Sequence, residues 1–569
     1  MDAAANRELE THTLSDNAGI FGHPRGLSTL FFTELWERFS YYGMRSILVL
    51  YMVAPAEQGG LGFDVKSATS LYGSYTMWVY LTALPGGLMA DRLLGAKLAV
   101  LLGGIVIACG HVSMIFHSMS LFYAGLTLIA IGTGLLKPNI STMVGSLYGE
   151  NDPRRDSGFS IFYMGINIGA ILAPFCVGYL AQGKSFKRFL VWMGFDPLKS
   201  WHWGFGAAAI GMTVGLIVYL LNRRRIEHVG NRTTRQQSSA SAVVGFGLLG
   251  LIICGFVGYL VRPAQEFENL AGALTKQPTW FQSSFNYILA GAIVGAALGM
   301  VVGYFYRVTR TNRITRPGET VALNPQPEPP GITRPSDTLA LNNKERRAAA
   351  SQPLTRTDWK RIGAIFIFFT FTILFWAAYE QKGASLNLFA DKLVRTEVFG
   401  IGFPSSWLQM CTPLFVIMLA PIFSMLWVRL GKQQPSSPIK FTLGLLFIGL
   451  AYCLLVPAAA MTAYGKISPL WLVGLYFLEV VGEMCLSPVG LSTVTKLAPV
   501  KLVGIMMGVW FLATSFGNKL AGYLSGFFVA NNSMQLVKLY GGIAAGLLVS
   551  AALLALLTPK VKKLMGSVN

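Results

Sequence analysis

The sequence is poor in charge: only 13% of its 569 residues are Asp, Glu, Lys or Arg, whereas 53% are hydrophobic. Soluble proteins carry about 25% charged residues. The shortage is concentrated in many stretches of about 20 residues almost without charge, the length needed to cross a hydrocarbon layer about 30 Å thick. The composition therefore excludes a soluble globular protein and predicts an all-α membrane protein.

Several signals of other protein classes are also missing. The six cysteines stand singly in apolar stretches, and their spacing indicates neither a disulfide nor a metal site. There is no Gly-x4-Gly-Lys-Ser/Thr loop to indicate ATP binding, and the six histidines are dispersed, without a nucleophile and base together. The first 27 residues contain no apolar core, so we expect no cleavable signal peptide. We predict that the protein is not an enzyme and holds no metal and no cofactor.

The net charge of +20 is explained by membrane topology rather than by nucleic-acid binding. With the N-terminus inside, about 30 of the 46 Lys and Arg fall in cytoplasmic segments, as the positive-inside rule requires. The loop 183–202 is the exception, since its four basic residues are placed outside. We therefore predict a multi-pass membrane protein with both termini cytoplasmic. The predicted helices are 28–53, 68–90, 97–117, 119–147, 157–182, 203–222, 241–262, 284–306, 357–380, 405–429, 440–461, 470–495, 503–528 and 537–557.

These fourteen transmembrane helices group as six, two and six around a Pro- and Arg-rich stretch that cannot bury a core. Two six-helix bundles with a central substrate site are typical of secondary transporters. The charged loop at 87–97 resembles the signature loop of the major facilitator superfamily. The predicted parts are a cytoplasmic tail (1–27), an N-terminal bundle (28–222), two inserted helices (241–306), a flexible linker (307–356), a C-terminal bundle (357–557) and a second cytoplasmic tail (558–569).

The first predicted helix concentrates charge on one face. At 100° per residue, this face collects Glu34, Glu37, Arg38, Tyr41, Tyr42 and Arg45. Charges inside a membrane are costly and are functional candidates by default. Two carboxylates beside one guanidinium cannot both ionise comfortably, so we expect the set to hold a proton. A static ion-pair clamp that fixes this helix is the alternative.

Three further charged groups stand in otherwise apolar helices: Lys137, Glu380 and Glu483. An isolated lysine in a membrane needs a carboxylate, and Glu380 in the other bundle is the candidate partner of Lys137. We expect protonation of Glu380 to weaken this bridge and to let the bundles separate on one side. Glu479, one turn before Glu483, has no assigned role, and Lys382 is expected at the outer rim.

Motifs in both halves carry a specific resemblance. The pattern Glu-x-x-Glu-Arg-Phe-x-Tyr-Tyr-Gly at 34–43 closely resembles the first-helix motif of the proton-dependent oligopeptide transporter family. Further similar segments occur in the same order at 132–139, 159–169, 375–381, 482–492 and 506–511. The two inserted helices are also similar to those of bacterial members, so the resemblance implies a location in a bacterial inner membrane. It further implies the major facilitator fold and proton-coupled symport of di- and tripeptides by alternating access, driven by the proton gradient. The expected partners are peptides, protons and the lipid bilayer, and the protein is expected to be monomeric.

Site residues are predicted from charge placement and from the resemblance together. For proton coupling we predict Glu34, Glu37, Arg38, Lys137 and Glu380. A dipeptide separates its carboxylate and ammonium by about 5–7 Å, so Arg45 and Lys137 are expected to bind the carboxylate and Glu483 the ammonium. The predicted substrate site comprises Tyr42, Arg45, Tyr80, Lys137, Asn167, Trp376, Thr412, Glu483 and Trp510.

Two departures from the family pattern stand out. Thr412 replaces the Asn that commonly precedes this proline, which is expected to weaken affinity or alter preference. Residues 68–90 contain no histidine, so proton handling falls on the acidic groups. The alternatives are proton-coupled uptake of nitrate or a peptide-like drug, and a peptide sensor that does not transport.

Overall fold

The computed structural model describes residues 22–149, 154–230, 354–398, 400–499 and 502–566, together with Gly19 and Asp152. Its helices in the first half are α1 (Arg25–Val53), α2 (Val65–Leu81), α3 (Ala83–Met89), α4 (Ala96–Ser113), α5 (Met119–Ser146), α6 (Arg155–Gln182), α7 (Lys184–Trp192) and α8 (Ser200–Leu221). Those in the second half are α9 (Arg356–Tyr379), α10 (Ser385–Leu393), α11 (Cys411–Leu430), α12 (Ser437–Met461), α13 (Leu470–Leu497), α14 (Val503–Ser525) and α15 (Ser533–Met565).

Short elements connect these helices. A π-helical turn covers Ala90–Leu94, and a two-stranded antiparallel hairpin joins β1 (Glu397–Val398) to β2 (Ile401–Gly402). The 3-10 turns are Ala56–Gln58, Pro197–Lys199, Arg223–Ile226, Glu380–Gly383, Ser405–Met410, Gly431–Gln433 and Thr462–Tyr464.

The all-α prediction is confirmed, and each of the twelve core spans has a helical counterpart. Within the described residues, nine helical stretches are long and apolar enough to cross a membrane. The predicted helices 241–262 and 284–306 and nearly all of the linker 307–356 lie outside the described residues. The total of fourteen spans and the domain boundaries therefore stay predictions.

Four local details differ from the sequence prediction. The span 68–90 is divided at Thr82 into α2 and α3. The loop 183–202 contains the amphipathic helix α7, and the loop before α11 contains α10 and the hairpin. The last helix continues to Met565, well into the predicted tail 558–569. Short amphipathic helices and helix ends at the membrane surface lack the long apolar run on which the prediction of spans depends.

Helix α1 keeps its charges inside the protein rather than against lipid. Glu34, Glu37, Arg38 and Arg45 are at most 4% exposed, although they lie within one 29-residue helix. Because each buried charge needs partners in this environment, the partners must come from α1 itself or from the elements that pack against it. Helix α1 packs against α6 and α8 along its length and meets α10 and the 3-10 turn Glu380–Gly383 of the second half.

We call the membrane face at which α1 begins the proximal face and that at which it ends the distal face. The two halves of the chain meet closely at the distal end, where α2 packs against α14 and α6 against the turn Ser405–Met410. A Cβ on Gly522 would lie 2.5 Å from the backbone oxygen of Thr69 and 2.6 Å from the Cα of Gly73. Glycine at both positions therefore permits backbone contact between the halves.

Polar side chains add hydrogen bonds to the same distal contact. Lys519, which had no role in the sequence analysis, donates from Nζ to Ser74 Oγ at 2.6 Å. Further bonds link Asn387 Nδ2 to the Ser46 carbonyl (2.8 Å), Gln409 Nε2 to the same carbonyl (3.2 Å), Ser515 Oγ to the Met77 carbonyl (2.8 Å) and Gln182 Nε2 to Ser405 Oγ (3.0 Å). The distal end is thus closed by direct contact between the halves.

At the proximal face, hydrogen bonds of His23 connect the start of α1 to the end of α5 and the start of α6. Ser157 Oγ donates to the carbonyl of Arg154, so His23 Nε2 donates to Ser157 Oγ at 3.3 Å. Nδ1 then accepts from the Tyr148 hydroxyl at 2.9 Å. Burial and the positive charge of Arg154 lower the pKa of His23 from its ordinary value of 6.5, partly opposed by Asp152.

We therefore expect mild acid to loosen this connection. The neutral imidazole is the form that accepts from Tyr148, and its contribution is complete above pH 6.5 and is lost as the pH falls through the lowered pKa. When the pH falls from 7.5 to 5.5, the free energy of unfolding of the wild-type protein should decrease by part of about 1 kcal/mol, the contribution of one hydrogen bond. Thermal unfolding should show a smaller pH effect in His23→Gln. An equal pH effect in both proteins would contradict this assignment.

Candidate functional site

A cavity of about 260 Å³ lies between the two halves, level with the charged face of α1. Its volume falls just below the range of about 300–1,000 Å³ that is typical of small-molecule sites. The predicted residues that line it are Glu34, Arg38, Tyr42, Arg45, Tyr80, Lys137, Asn167, Trp376, Glu380, Thr412 and Glu483. The wall also includes Tyr163, Tyr379, Lys382 and Gln409, which the sequence analysis did not assign to the site.

The proximal part of the wall holds one guanidinium between two carboxylates. Arg38 donates from Nη2 to Glu37 Oε1 at 2.6 Å, and its Nε lies 3.2 Å from Glu34 Oε1. Glu37 is fully buried behind Arg38, whereas Glu34 lines the cavity. Glu34 Oε2 is buried without a hydrogen-bond partner among the described residues. One positive charge thus faces two acids, of which Glu34 has an oxygen free to carry a proton.

A second ion pair joins the halves of the chain. Arg45 on α1 pairs through Nη2 with Glu380 Oε2, and its Nε donates to the Tyr72 hydroxyl. Both members of the pair are at most 4% exposed in side-chain surface. Glu380 begins the turn that follows α9, so this pair connects the first helix of one half to the first helix of the other.

The predicted bridge between Lys137 and Glu380 is wrong for this conformation, because Glu380 pairs with Arg45 instead. Lys137 Nζ lies 4.1 Å from the centroid of the Tyr80 ring, a cation–π contact. Of the carboxylates in the described ranges, none lies within the 4 Å ion-pair distance of Lys137. A guanidinium carries several N–H groups, so Arg45 bonds Glu380 through Nη2 and Tyr72 through Nε at the same time.

Tyr379 organises the opposite wall. Its hydroxyl donates to Glu483 Oε2, and Trp376 contacts its ring edge-on with centroids 5.2 Å apart. Lys382 Nζ lies over the face of the same ring, 3.2 Å from the centroid. The expectation that Lys382 lies at the outer rim is therefore wrong. The turn Glu380–Gly383 brings its side chain back into the cavity.

Several neutral groups in the wall offer unused hydrogen-bonding atoms. Thr412 Oγ1 and Trp376 Nε1 are buried without partners among the described residues. Asn167 uses its Nδ2 to donate to the Tyr163 carbonyl at 2.9 Å, which orients its amide group at the cavity wall. Buried polar groups without partners are costly, and a polar ligand in the cavity would satisfy them.

Of the residues predicted for the substrate site, Trp510 does not line the cavity. Trp510 packs inside the second half, where its ring meets Phe441 at 6.0 Å and lies so close to Gly490 that a Cβ there would be 2.2 Å from Cζ2. The prediction that Trp510 lines the substrate site is therefore wrong for this conformation. A tryptophan in an apolar helix gives no sequence signal that separates packing from lining.

Comparison with known proteins identifies relatives that match this chain over nearly its whole length. A model of a transporter family, described as the POT family, matches residues 97–262 and 336–541. A peptide transporter of Yersinia enterocolitica, YePEPT, is 35% identical and covers 96% of this chain and 96% of its own length. A di-/tripeptide transporter of Lactococcus lactis subsp. cremoris is also 35% identical and covers 97% and 98%.

Solved structures give the same result for the fold. A point mutant of a peptide transporter POT in complex with alafosfalin is similar with a TM-score of 0.73 and 34% identity. It covers 97% of this chain and 98% of its own. A POT family transporter in complex with 5-aminolevulinic acid matches with a TM-score of 0.70 and 30% identity.

Proposed function

The chain belongs to the POT family of transporters, and from that premise we propose that it carries di- and tripeptides into a bacterial cell together with protons. The observation that carries the proposal is the buried pair of Arg45 and Glu380, which joins the two halves beside the cavity. A peptide carboxylate and Glu380 compete for one guanidinium. Proton binding and peptide binding are thereby coupled at a single residue.

The coupling follows from electrostatics. When Glu380 is ionised it occupies Arg45 and holds the distal ends of the halves together. A proton on Glu380 removes its charge and frees Arg45 for the carboxylate of a peptide, with Lys137 as a second cation. Loss of the charge pair also weakens the contact between the halves, so the same proton favours the change of facing.

The carboxylates around Arg38 are suited to hand protons to this switch. Glu34 faces the cavity and has one oxygen without a partner, while Glu37 holds Arg38 from behind. We assign proton transfer to this group and closure to Glu380. A proton that crosses about 100 mV releases about 2.3 kcal/mol, and each pH unit adds about 1.4 kcal/mol. These amounts support peptide accumulation of two or more decades.

The opposite wall is suited to the amino terminus. Glu483 accepts from Tyr379 and faces the cavity with Thr412 and Asn167 around it. A zwitterion with its carboxylate at Arg45 and Lys137 and its ammonium at Glu483 would bridge the two halves. An inorganic anion such as nitrate has no group for Glu483, and so the arrangement favours peptides.

The remaining assignments follow the same proposal. The transporter works in the inner membrane with both termini in the cytoplasm, so the proximal face is cytoplasmic and the distal face is outside. It acts as a monomer, needs no cofactor besides the proton gradient and catalyses no chemical reaction. Neither a nucleic acid nor a metal has a part in the cycle.

The test is uptake of labelled dialanine by proteoliposomes with an acidic outside. We expect labelled dialanine to accumulate inside and the accumulation to collapse when a protonophore removes the proton gradient. Excess unlabelled dialanine should inhibit the uptake, whereas nitrate should not. Binding of dialanine without any uptake or counterflow would instead favour a sensor and overturn the proposal.

Closure of the distal face can be tested at Gly522. In Gly522→Ala, the added methyl would overlap the backbone of α2, and overpacking of this kind costs about 1–3 kcal/mol. The distally closed state should lose population by about 5- to 150-fold, and the rate of dialanine uptake should fall while peptide binding is retained. Gly542→Ala is the matched control, since a Cβ there meets nothing within 4 Å. Normal uptake in Gly522→Ala would contradict the role of this contact.

A further inference from the structure

A second cavity, which we call the proximal cavity, lies within the second half of the chain at the proximal face. It has a volume of about 860 Å³ and is lined by the C-terminal halves of α11 and α13, the start of α12 and the end of α15. Among the described residues, it shares no lining residue with the cavity between the two halves. The transport cycle proposed above therefore does not account for it.

Three lysines line the proximal cavity, namely Lys440, Lys496 and Lys562. None of them forms an ion pair within the described part of the chain. Lys440 is only 8% exposed, and its Nζ donates to Gln434 Oε1 at 2.8 Å and lies 4.2 Å from the centroid of the Trp427 ring. An ammonium has three N–H donors, so these contacts hold Lys440 in place and leave donors for an anion.

Acidic side chains that could neutralise these lysines are scarce in this part of the sequence. Between residues 398 and 569, the only acidic side chains are Glu479 and Glu483. Both lie in the first half of α13, and even Glu483 is about 20 Å along the helix from Lys496. Because unpaired cations are costly where they are buried, the proximal cavity needs an anion that does not come from these helices.

The start of α12 adds neutral donors to the same wall. Ser436, Ser437 and Ile439 line the cavity, and the first backbone N–H groups of a helix have no acceptor within the helix. Ser436 is the N-cap residue, but its side chain forms no capping bond, and its Oγ is buried without a hydrogen-bond partner among the described residues. Phosphate oxygens are suitable acceptors for a hydroxyl and a helix start of this kind.

The wall changes from apolar to basic towards the proximal face. On α13, Met484 lines the deeper part of the cavity and Lys496 lines the proximal part, about 18 Å further along the helix. On α11, Phe423 lines the deeper part, and the nearby Met425 and Val428 are more than 60% exposed, as expected of side chains that lie against acyl chains. Inorganic phosphate has no group for the apolar part, whereas a phospholipid has both a phosphate and acyl chains.

We infer that the proximal cavity binds an anionic phospholipid, with the phosphate at the lysines and the start of α12 and an acyl chain along the apolar side of α11. Basic pockets between membrane helices are typical sites for anionic headgroups. The positive-inside rule also collects lysines at one face, but it explains neither the burial of Lys440 nor the unpartnered hydroxyl of Ser436. The inference does not depend on peptide transport, because it concerns a different cavity.

The experiment measures thermal unfolding of the full-length protein in a neutral detergent, without peptide, during titration with dioleoyl-phosphatidylglycerol. This anionic lipid should raise the Tm by about 2–5 °C, whereas dioleoyl-phosphatidylcholine, which has the same chains and no net charge, should not. Equal stabilisation of the wild-type protein by the two lipids would overturn the inference, whether or not any variant folds. If inorganic phosphate stabilises the protein at the same concentration as phosphatidylglycerol, the site binds a soluble anion and the lipid assignment is wrong.

Variants locate the effect in the cavity. The double variant Lys496→Gln/Lys562→Gln should need about 30-fold more phosphatidylglycerol for half of the rise in Tm. Ser436→Ala, which leaves the charge unchanged, should need about fivefold more. The matched control Lys560→Gln/Lys563→Gln removes the same charge from the proximal end of α15, but neither lysine lines the cavity, and it should respond as the wild-type protein does. An equal loss in this control would indicate diffuse attraction to the protein surface and would overturn the inference.

Discussion

Glu380→Gln is expected to lose proton-driven accumulation of dialanine and to keep exchange of peptide down its gradient. Glutamine has the shape of a protonated glutamate but carries no charge, so it does not neutralise Arg45 as ionised Glu380 does. The guanidinium of Arg45 is then permanently available to a peptide carboxylate, and protonation no longer controls its availability. In proteoliposomes with an acidic outside, the ratio of internal to external dialanine should be about 100 or more for the wild-type protein and about 1 for the variant.

The same variant should also change how peptide binding depends on pH. In the wild-type protein, ionised Glu380 competes with the peptide for Arg45, so affinity should decline as the pH rises. Without an ionisable group at this position, that part of the pH dependence should disappear. Equilibrium binding of dialanine at pH 5.5 and 7.5 measures this effect separately from transport.

Glu397→Gln provides the matched control, because Glu397 is an exposed glutamate on β1 in the same half of the chain. It should accumulate dialanine as the wild-type protein does. If Glu380→Gln still concentrates dialanine more than about tenfold against its gradient, which requires about 1.4 kcal/mol from the proton, then Glu380 is not the coupling group. Loss of both accumulation and counterflow would point to a damaged peptide site instead.

The sequence was sufficient to predict most of the charges that share the cavity, although not Lys382. Glu34, Lys137 and Glu483 lie in three different helices, yet all line the same space. Charges that must avoid lipid have few other places to go. This constraint makes the content of the site predictable before its geometry is known.

The pairing of the charges was not predictable in the same way. Lys137, Arg45 and Glu380 all line the cavity, and in the folded chain it is Arg45 that forms the bond with Glu380. The competing cation instead finds the face of Tyr80. A sequence pattern places a residue on a helix face, but the choice among partners depends on side-chain reach in one conformation of a protein that has several.

Lys382 was predicted to lie outside the cavity but lines it, whereas Trp510 was predicted to line the cavity but does not. Lys382 follows the last turn of α9, where a lysine commonly extends to the membrane surface, but the 3-10 turn directs it inward. Trp510 lies in a family-like motif but packs against Phe441 and Gly490. The position of Lys382 depends on the backbone of the turn after the helix, and that of Trp510 depends on the packing between helices. Helical periodicity in the sequence reports neither.

Glu483→Gln should have the second large effect, on the affinity for the peptide amino terminus. Removal of one partner from a buried charge pair costs about 2–5 kcal/mol, which corresponds to at least about 30-fold in affinity. The loss should be confined to ligands with a free ammonium. N-acetylalanine, which has a carboxylate but no ammonium, should bind weakly to the wild-type protein and about equally weakly to the variant.

Tyr379→Phe separates the charge of Glu483 from its orientation. The phenylalanine keeps the aromatic ring for Lys382 and Trp376 but removes the hydroxyl that donates to Glu483. We expect an intermediate loss of dialanine affinity, of about 1 kcal/mol or fivefold, the worth of one hydrogen bond. Competition binding with dialanine and N-acetylalanine in the two variants gives the full comparison. If Glu483→Gln weakens both ligands by the same factor, or dialanine by less than threefold, then Glu483 does not bind the ammonium, and the peptide does not bridge the two halves as proposed.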